Sequence, residues 1–140
     1  MLNPHELYAA IRLRNEVFVV EQHCVFQDAD GFDTNAWHLL GFADGELVAY
    51  TRLLAAGTMY VEPSIGRVVT SPSVRGSGAG KLLMKRSIEA MQQLFGRQTI
   101  RIGAQLYLQR FYESFGFEKV SEVYLEDGIQ HIYMLYNYNS

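Results

Sequence analysis

Apolar positions near the start of the chain recur at helical spacing: Leu7, Ala10, Ile11 and Val17 form one stripe, with Arg14 set among them. Asn3, Pro4 and Glu6 precede the stripe as a capping residue, a first-turn proline and a third-position acid, so the first predicted element is a helix. Periodicity lapses from Cys24 to Asn35, a stretch holding Asp28, Asp30, Asp33 and Gly31, which predicts a loop. Trp37 to Ala43 and Leu47 to Leu54 then read as two strands joined through Asp44-Gly45, a two-residue hairpin signal that implies antiparallel pairing. Ile65 to Thr70 is rich in β-branched residues and stops at Pro72, predicting a strand that leads into a cluster of glycines.

Beyond the glycines, Met84, Ile88, Met91 and Phe95 keep helical spacing while Lys85, Arg86, Glu89, Gln92 and Gln93 fall elsewhere. A helix is therefore expected from Gly80 to Phe95, ended by Gly96. Thr99 to Ala104 predicts the next strand, and Leu106 to Phe115 a second helix closed by Gly116. Strand, helix and strand in succession imply a parallel pair. Phe117 to Val120 and Ile129 to Tyr136 supply further strands, with Asp127-Gly128 as a turn. The expectation is one mixed α/β domain over residues 1–140.

Composition narrows the class. An apolar fraction of 49% with 19% charged residues describes a soluble globular chain that folds alone or as a homo-oligomer such as a homodimer. A net charge of −3 argues against a nucleic-acid partner. Leu7 to Val20 is interrupted by Arg12, Arg14 and Glu16, well short of the ~20 apolar residues of a membrane span. The single cysteine, Cys24, permits no internal disulfide and has neither a metal spacing nor a neighbour that would make it a nucleophile. No metal site is expected: four scattered histidines and the loop aspartates lack a ligand pattern. These aspartates are expected to shape their loop or to attract a cationic amine. A cytoplasmic protein fits all of this.

The chemistry is carried by Arg75-Gly76-Ser77-Gly78-Ala79-Gly80. A glycine turn between a strand and a helix gathers unpaired backbone N–H groups at the positive end of the helix dipole, which suits a phosphate; a merely close connection between the two elements is the alternative. Arg75 can add a contact to phosphate oxygens. The spacing departs from a nucleotide P-loop, since three residues separate Gly76 from Gly80 and Leu82 follows Lys81. It departs equally from the dinucleotide G-x-G-x-x-G pattern.

At this point the chain resembles the GNAT acetyltransferase superfamily. Arg75 to Gly80 is similar to its Q/R-x-x-G-x-G/A signature, and Phe111-Tyr112-Glu113-Ser114-Phe115-Gly116-Phe117 resembles its aromatic-Tyr-x-x-x-Gly-Phe segment. Arg14 to Gln22, Asp30 to Asp33 with His38, and Tyr124 to His131 are similar to the small bacterial ElaA-like branch, so the resemblance spans nearly the whole chain. It implies a largely antiparallel sheet flanked by helices, with a parallel strand pair splayed at a cofactor cleft. Such proteins begin with a strand before the first helix, whereas this sequence starts at the helix cap, as a shortened form would.

The resemblance further implies acetyl-CoA as cosubstrate and direct transfer to the amine of a small molecule or peptide, without an acyl-enzyme. The backbone of Val68, Val69 and Thr70 is expected against the cofactor, as is Gln105, where many family members have Asn. Tyr112 is the expected general acid, since a phenol can protonate a departing thiolate; a core aromatic is the alternative in a chain with nine tyrosines. Glu21, His38 and His131 are the candidate bases or substrate contacts. A non-catalytic acyl-CoA-binding or sensing domain is the competing reading.

Overall fold

A computed structural model describes residues 2–22 and 28–138. The expectation for Cys24 lies outside the described residues. Helix α1 (Pro4–Arg14) starts with the anticipated reciprocal cap: Asn3 Oδ1 accepts from the Glu6 amide at 2.8 Å, and Glu6 Oε1 accepts from the Asn3 amide at 3.1 Å. Its axis continues through a wider π-helical segment, Asn15–Glu21, closed by the Gln22 amide donating to Val17 O. Such widened turns are frequent at functional sites, and this one supplies Val17, Phe18, Glu21 and Gln22 to the cleft described below.

The strands are β1 (Trp37–Ala43), β2 (Glu46–Leu54), β3 (Ser64–Thr70), β4 (Ile100–Gln105), β5 (Phe117–Lys119), β6 (Tyr124–Glu126) and β7 (Ile129–Tyr136). They form one sheet in the order β1-β2-β3-β4-β7-β5, with β6 also paired to β7. All pairs are antiparallel except β3–β4. Both aspartate-glycine turns take the left-handed backbone that a tight hairpin needs, with φ of 51° at Asp44 and 50° at Asp127. Strand β6 is the element that periodicity did not reveal; three residues are too few to establish an alternation.

Helix α2 (Ala79–Phe95) and the short α3 (Gln109–Glu113) pack on one face of the sheet around Met84, Met91, Ile102, Phe117, Ile132 and Met134. Helix α1 packs on the other through Ala10, Leu13 and Val17 against Tyr50 and Val69. Among the described residues, no helix is long and apolar enough to cross a membrane.

Strand β3 decides the shape of the site. Its partners on β2 step from Tyr50↔Val69 to Arg52↔Gly66, so β3 carries one residue more than β2 over this interval. Arg67 sits in this bulge with φ of +50°. Ile65 and Val69, four residues apart, would share a face in a regular strand. The extra residue sends Ile65 to the α2 side and Val69 to the α1 side. Toward β4 the pairing is restricted to Ser64↔Arg101, after which the two strands part.

Candidate active site

The parting of β3 from β4 opens a cleft of about 790 Å³ through the middle of the sheet. Gly80, Phe111 and Tyr112 line it on the α2 side, while Arg52, Tyr60, Glu126 and His131 line it elsewhere, with Val68, Val69, Thr70 and Gln105 along the divide. Because β4 pairs with β3 only at Ser64, the edge of β3 from Ile65 onward has no strand partner in the cleft among the described residues.

At the cleft's mouth stands the glycine turn. Gly78 is the N-terminal cap of α2 in the left-handed conformation, φ 87°, and Gly76 is similarly left-handed at φ 83°. Leu82 is the first residue of the helix whose amide reaches back, to Gly78 O at 3.1 Å. The amides of Gly78, Ala79, Gly80 and Lys81 therefore have no acceptor inside the helix and collect at its positive end. Ser77 Oγ donates instead to Val74 O, bracing the turn rather than facing a ligand.

Two contacts bridge from the π-helical segment to residues expected at the cofactor. Glu21 forms a bidentate ion pair with Arg75, one arm being Arg75 Nη2 to Glu21 Oε1 at 2.7 Å. Arg75 also donates to Thr70 O at 3.2 Å. The Arg75 hydrogen bond holds the Glu21 carboxyl below its ordinary range, making it a weaker base. Gln22 and Gln105 exchange amide hydrogen bonds at 3.3 and 3.4 Å.

Tyr112 lies in the core with 5% of its surface exposed, edge-on to Phe111 and Phe117, and still lines the cleft. Burial pushes its hydroxyl above the ordinary tyrosine value, so it keeps its proton throughout the neutral range. Tyr112 is thus a core aromatic that also reaches the cleft.

The aspartates of the 28–33 loop meet three arginines. Asp28 holds Arg14 Nε at 2.7 Å and Arg67 Nε at 2.8 Å. Asp33 takes Arg14 Nη1 at 2.7 Å, and Asp30 takes both terminal nitrogens of Arg52, at 2.8 and 2.9 Å. Arg14 and Arg52 are fully buried. Burial opposes the charge on Asp30, but the hydrogen bonds from Arg52 and the Phe32 amide, with the charges of Arg52 and Arg67, bring its pKa down to about 2. The loop is thus fastened to α1, β2 and β3, and its carboxylates are matched by guanidinium groups. The sequence did carry a signal for this: Arg14 occupies an apolar helical stripe, where a charge needs a buried partner.

His38 belongs to the same fastening. Its Nε2 donates to Asp33 O at 3.1 Å and its Nδ1 accepts from the Tyr50 hydroxyl. Burial lowers its pKa, and it is not among the cleft-lining residues. With both nitrogens committed away from the cleft, it has no free position for proton transfer. His131, by contrast, lines the cleft and is 7% exposed. Its Nδ1–H donates to Ile129 O at 2.8 Å, which turns Nε2 toward the Glu126 carboxylate 3.6 Å away. Around it gather Tyr124, stacked on both His131 and Tyr133, and Tyr60, edge-on to Tyr133. Gln22, Tyr124 and Glu126 lie in the segments that resemble the ElaA-like branch but received no role from the sequence, and Tyr60 lies in no such segment.

The family model for the acetyltransferase (GNAT) domain matches residues 8–137. Protein ElaA of Escherichia coli is 45% identical over 135 residues, covering 95% of this chain and 88% of ElaA. Its crystal structure superposes with a TM-score of 0.90 at 43% identity, covering 97% of this chain and 93% of that one. An acyl-CoA N-acyltransferase from Pseudomonas aeruginosa is 45% identical and superposes with a TM-score of 0.91, covering 96% of this chain and 92% of that one. An aminoglycoside 6′-N-acetyltransferase solved with coenzyme A shares the fold at 16% identity, with a TM-score of 0.72 over 95% of this chain and 91% of that one. With a match that runs through both the glycine turn and the Tyr112 segment, this chain belongs to the acetyltransferase (GNAT) domain family, on the ElaA branch, and acyl transfer is its class of chemistry.

Proposed function

We propose that this chain transfers an acetyl group from acetyl-CoA to a primary amine by direct attack, both substrates being bound together in the cleft. The observation that carries the reading is the splay of β3 from β4, which joins the amide-rich start of α2 and Tyr112 on one side to His131 on the other through a single opening. Coenzyme A bound to a protein of the same fold supports the donor, as does the acyl-CoA named for the Pseudomonas relative.

The amides of Gly78 to Lys81 hold the pyrophosphate, and Arg75 adds a charge once it turns from Glu21. The unpaired edge of β3 at Val68 to Thr70 receives the acyl-bearing arm, its N–H groups stabilising charge that develops on the thioester oxygen. Gln105 offers its amide to the same arm. His131 Nε2 takes a proton from the amine. The amine nitrogen then bonds to the acetyl carbon as the carbon–sulfur bond breaks, Tyr112 donates its proton to the departing sulfur, and the second proton shed by the new amide nitrogen restores the Tyr112 phenol through solvent. Because the Tyr112 hydroxyl titrates above its ordinary value, it serves as a hydrogen-bond and proton donor at every physiological pH.

The test is release of free coenzyme A thiol across a panel of primary amines, beside calorimetric titration of acetyl-CoA. Turnover of at least one amine is expected. Tight binding without turnover of any amine would make the chain a non-catalytic acyl-CoA-binding domain.

A further inference from the structure

The wall of the cleft away from the glycine turn is chemically one-sided. His131 Nε2 and the Glu126 carboxylate stand 3.6 Å apart, and with the His131 Nδ1 proton committed to Ile129 O, both groups facing each other are hydrogen-bond acceptors whenever the imidazole is neutral. In that state a donor placed between them satisfies both. The hydroxyl oxygens of Tyr124 and Tyr60 converge nearby over Gly103: a β-carbon placed there would lie 2.9 Å from the first and 3.6 Å from the second. Gly103 pairs in register with Tyr133, and Gln105 with His131; Tyr60, Gly103, Gln105, Glu126 and His131 line the cleft, and the Tyr124 hydroxyl abuts it at Gly103.

The neighbouring cations are already matched. Arg52 and Arg67 are held by the loop aspartates, and Arg101 is held by Glu62 at 2.8 Å, its guanidinium over the rings of Tyr60 and Tyr133. Arg101 does not line the cleft. A ligand carboxylate placed at this wall would meet Glu126 and would have to compete with aspartates for any arginine.

We propose that Glu126, His131, Tyr60 and Tyr124 form the receiving site for the acceptor, and that they select an alkylammonium without a carboxylate, a terminal diamine rather than an amino acid. The ammonium donates to Glu126 and to His131 Nε2; transfer of one proton to Nε2 leaves a neutral amine facing the thioester and an imidazolium beside Glu126. The tyrosine rings and oxygens line the path of the alkyl chain. This rests on the acyl-transfer reading, so its test has a readout independent of turnover.

Lysine and 1,5-diaminopentane differ only by the carboxylate. Calorimetric binding of each to the protein, with and without saturating coenzyme A, should show the diamine at least about tenfold tighter, a difference of about 1.4 kcal/mol. Glu126→Gln should reduce that preference to about twofold while leaving coenzyme A affinity unchanged. Because Glu126 is half exposed, its substitution leaves the core intact. Gly103→Ala, which crowds the Tyr124 hydroxyl, should weaken the diamine alone. Equal binding of the two amines, tighter binding of lysine, or an undiminished preference in Glu126→Gln would overturn the proposal. Diamine binding with no release of coenzyme A thiol would instead count against acetyl transfer and leave the ammonium site standing.

Discussion

On the glycine-turn side of the cleft the groups positioned for a ligand are backbone amides at the start of α2, four consecutive residues from one short stretch of chain. On the opposite side the lining is side chains: Tyr60 from the connection between β2 and β3, Glu126 from β6, and His131 from β7. The first kind of site needs only a turn of the right backbone conformation and a helix to follow it. The second needs a finished sheet, because the residues meet only once β4, β6 and β7 are in register. A site made of amides tolerates many side chains but few changes of glycine; a site made of side chains has the reverse sensitivity.

The largest expected effect breaks the first side. Gly78→Glu puts a carboxylate at the helix N-terminus, where an anion should bind, on a residue with φ of 87°. Coenzyme A affinity should fall by at least about a thousandfold, roughly 4 kcal/mol, by calorimetry. The space around Gly78 is open, so the protein should remain folded with its melting temperature only modestly lowered. Retained affinity would remove the turn from the binding site.

Next in size is Arg14→Ala, which leaves Asp28 and Asp33 without their buried partner on α1. Removing one member of a buried ion pair costs about 3–5 kcal/mol, measurable by urea denaturation. The loop carrying these aspartates should loosen while the glycine turn keeps its affinity for coenzyme A. The same network predicts acid sensitivity. Asp30 has a folded pKa of about 2 against an ordinary 3.8, so its contribution is present above pH 3.8 and is lost as the pH falls toward 2. Stability should therefore decline steeply across that window, and less so in Asp30→Asn.

Tyr112→Phe joins the two sides, since Tyr112 lines the opening between them. Turnover should drop by about ten- to a hundredfold with acetyl-CoA affinity within twofold of the parent, because among the described residues the hydroxyl has no hydrogen-bond partner to lose but a proton to give. Full activity in this variant would return Tyr112 to a packing role. The smallest effect belongs to Glu21→Gln. An exposed ion pair is worth about 1 kcal/mol at most, so freeing Arg75 from Glu21 should tighten coenzyme A binding by no more than about fivefold. Weaker binding would mean that Glu21 helps to aim Arg75 rather than to restrain it.

Much of the fold was legible in the sequence. Both aspartate-glycine hairpins, the Asn3 cap and the helix after the glycines rest on local physics: turn residues that accept a left-handed backbone, a side chain that caps its own helix, and a repeating apolar stripe. The π-helical winding of residues 15–21 was hidden, because its apolar spacing differs little from that of an ordinary helix over so few residues. The bulge at Arg67 was hidden as well, since β-branched residues suit a regular strand and a bulged one equally.

The glycine turn and the Tyr112 segment could be found in the linear chain because each is contiguous, and a contiguous motif keeps its spacing whatever the rest of the molecule does. The tertiary structure alone decided which histidine faces the cleft. His38 and His131 are equivalent as letters, yet the fold spends both nitrogens of one on Asp33 and Tyr50 and leaves Nε2 of the other beside Glu126. It likewise decided that three loop aspartates meet three arginines from α1, β2 and β3. Those partners lie 14 to 39 positions apart in the chain, and no local rule of spacing or propensity reaches across such a distance; only the packing of the sheet brings them together.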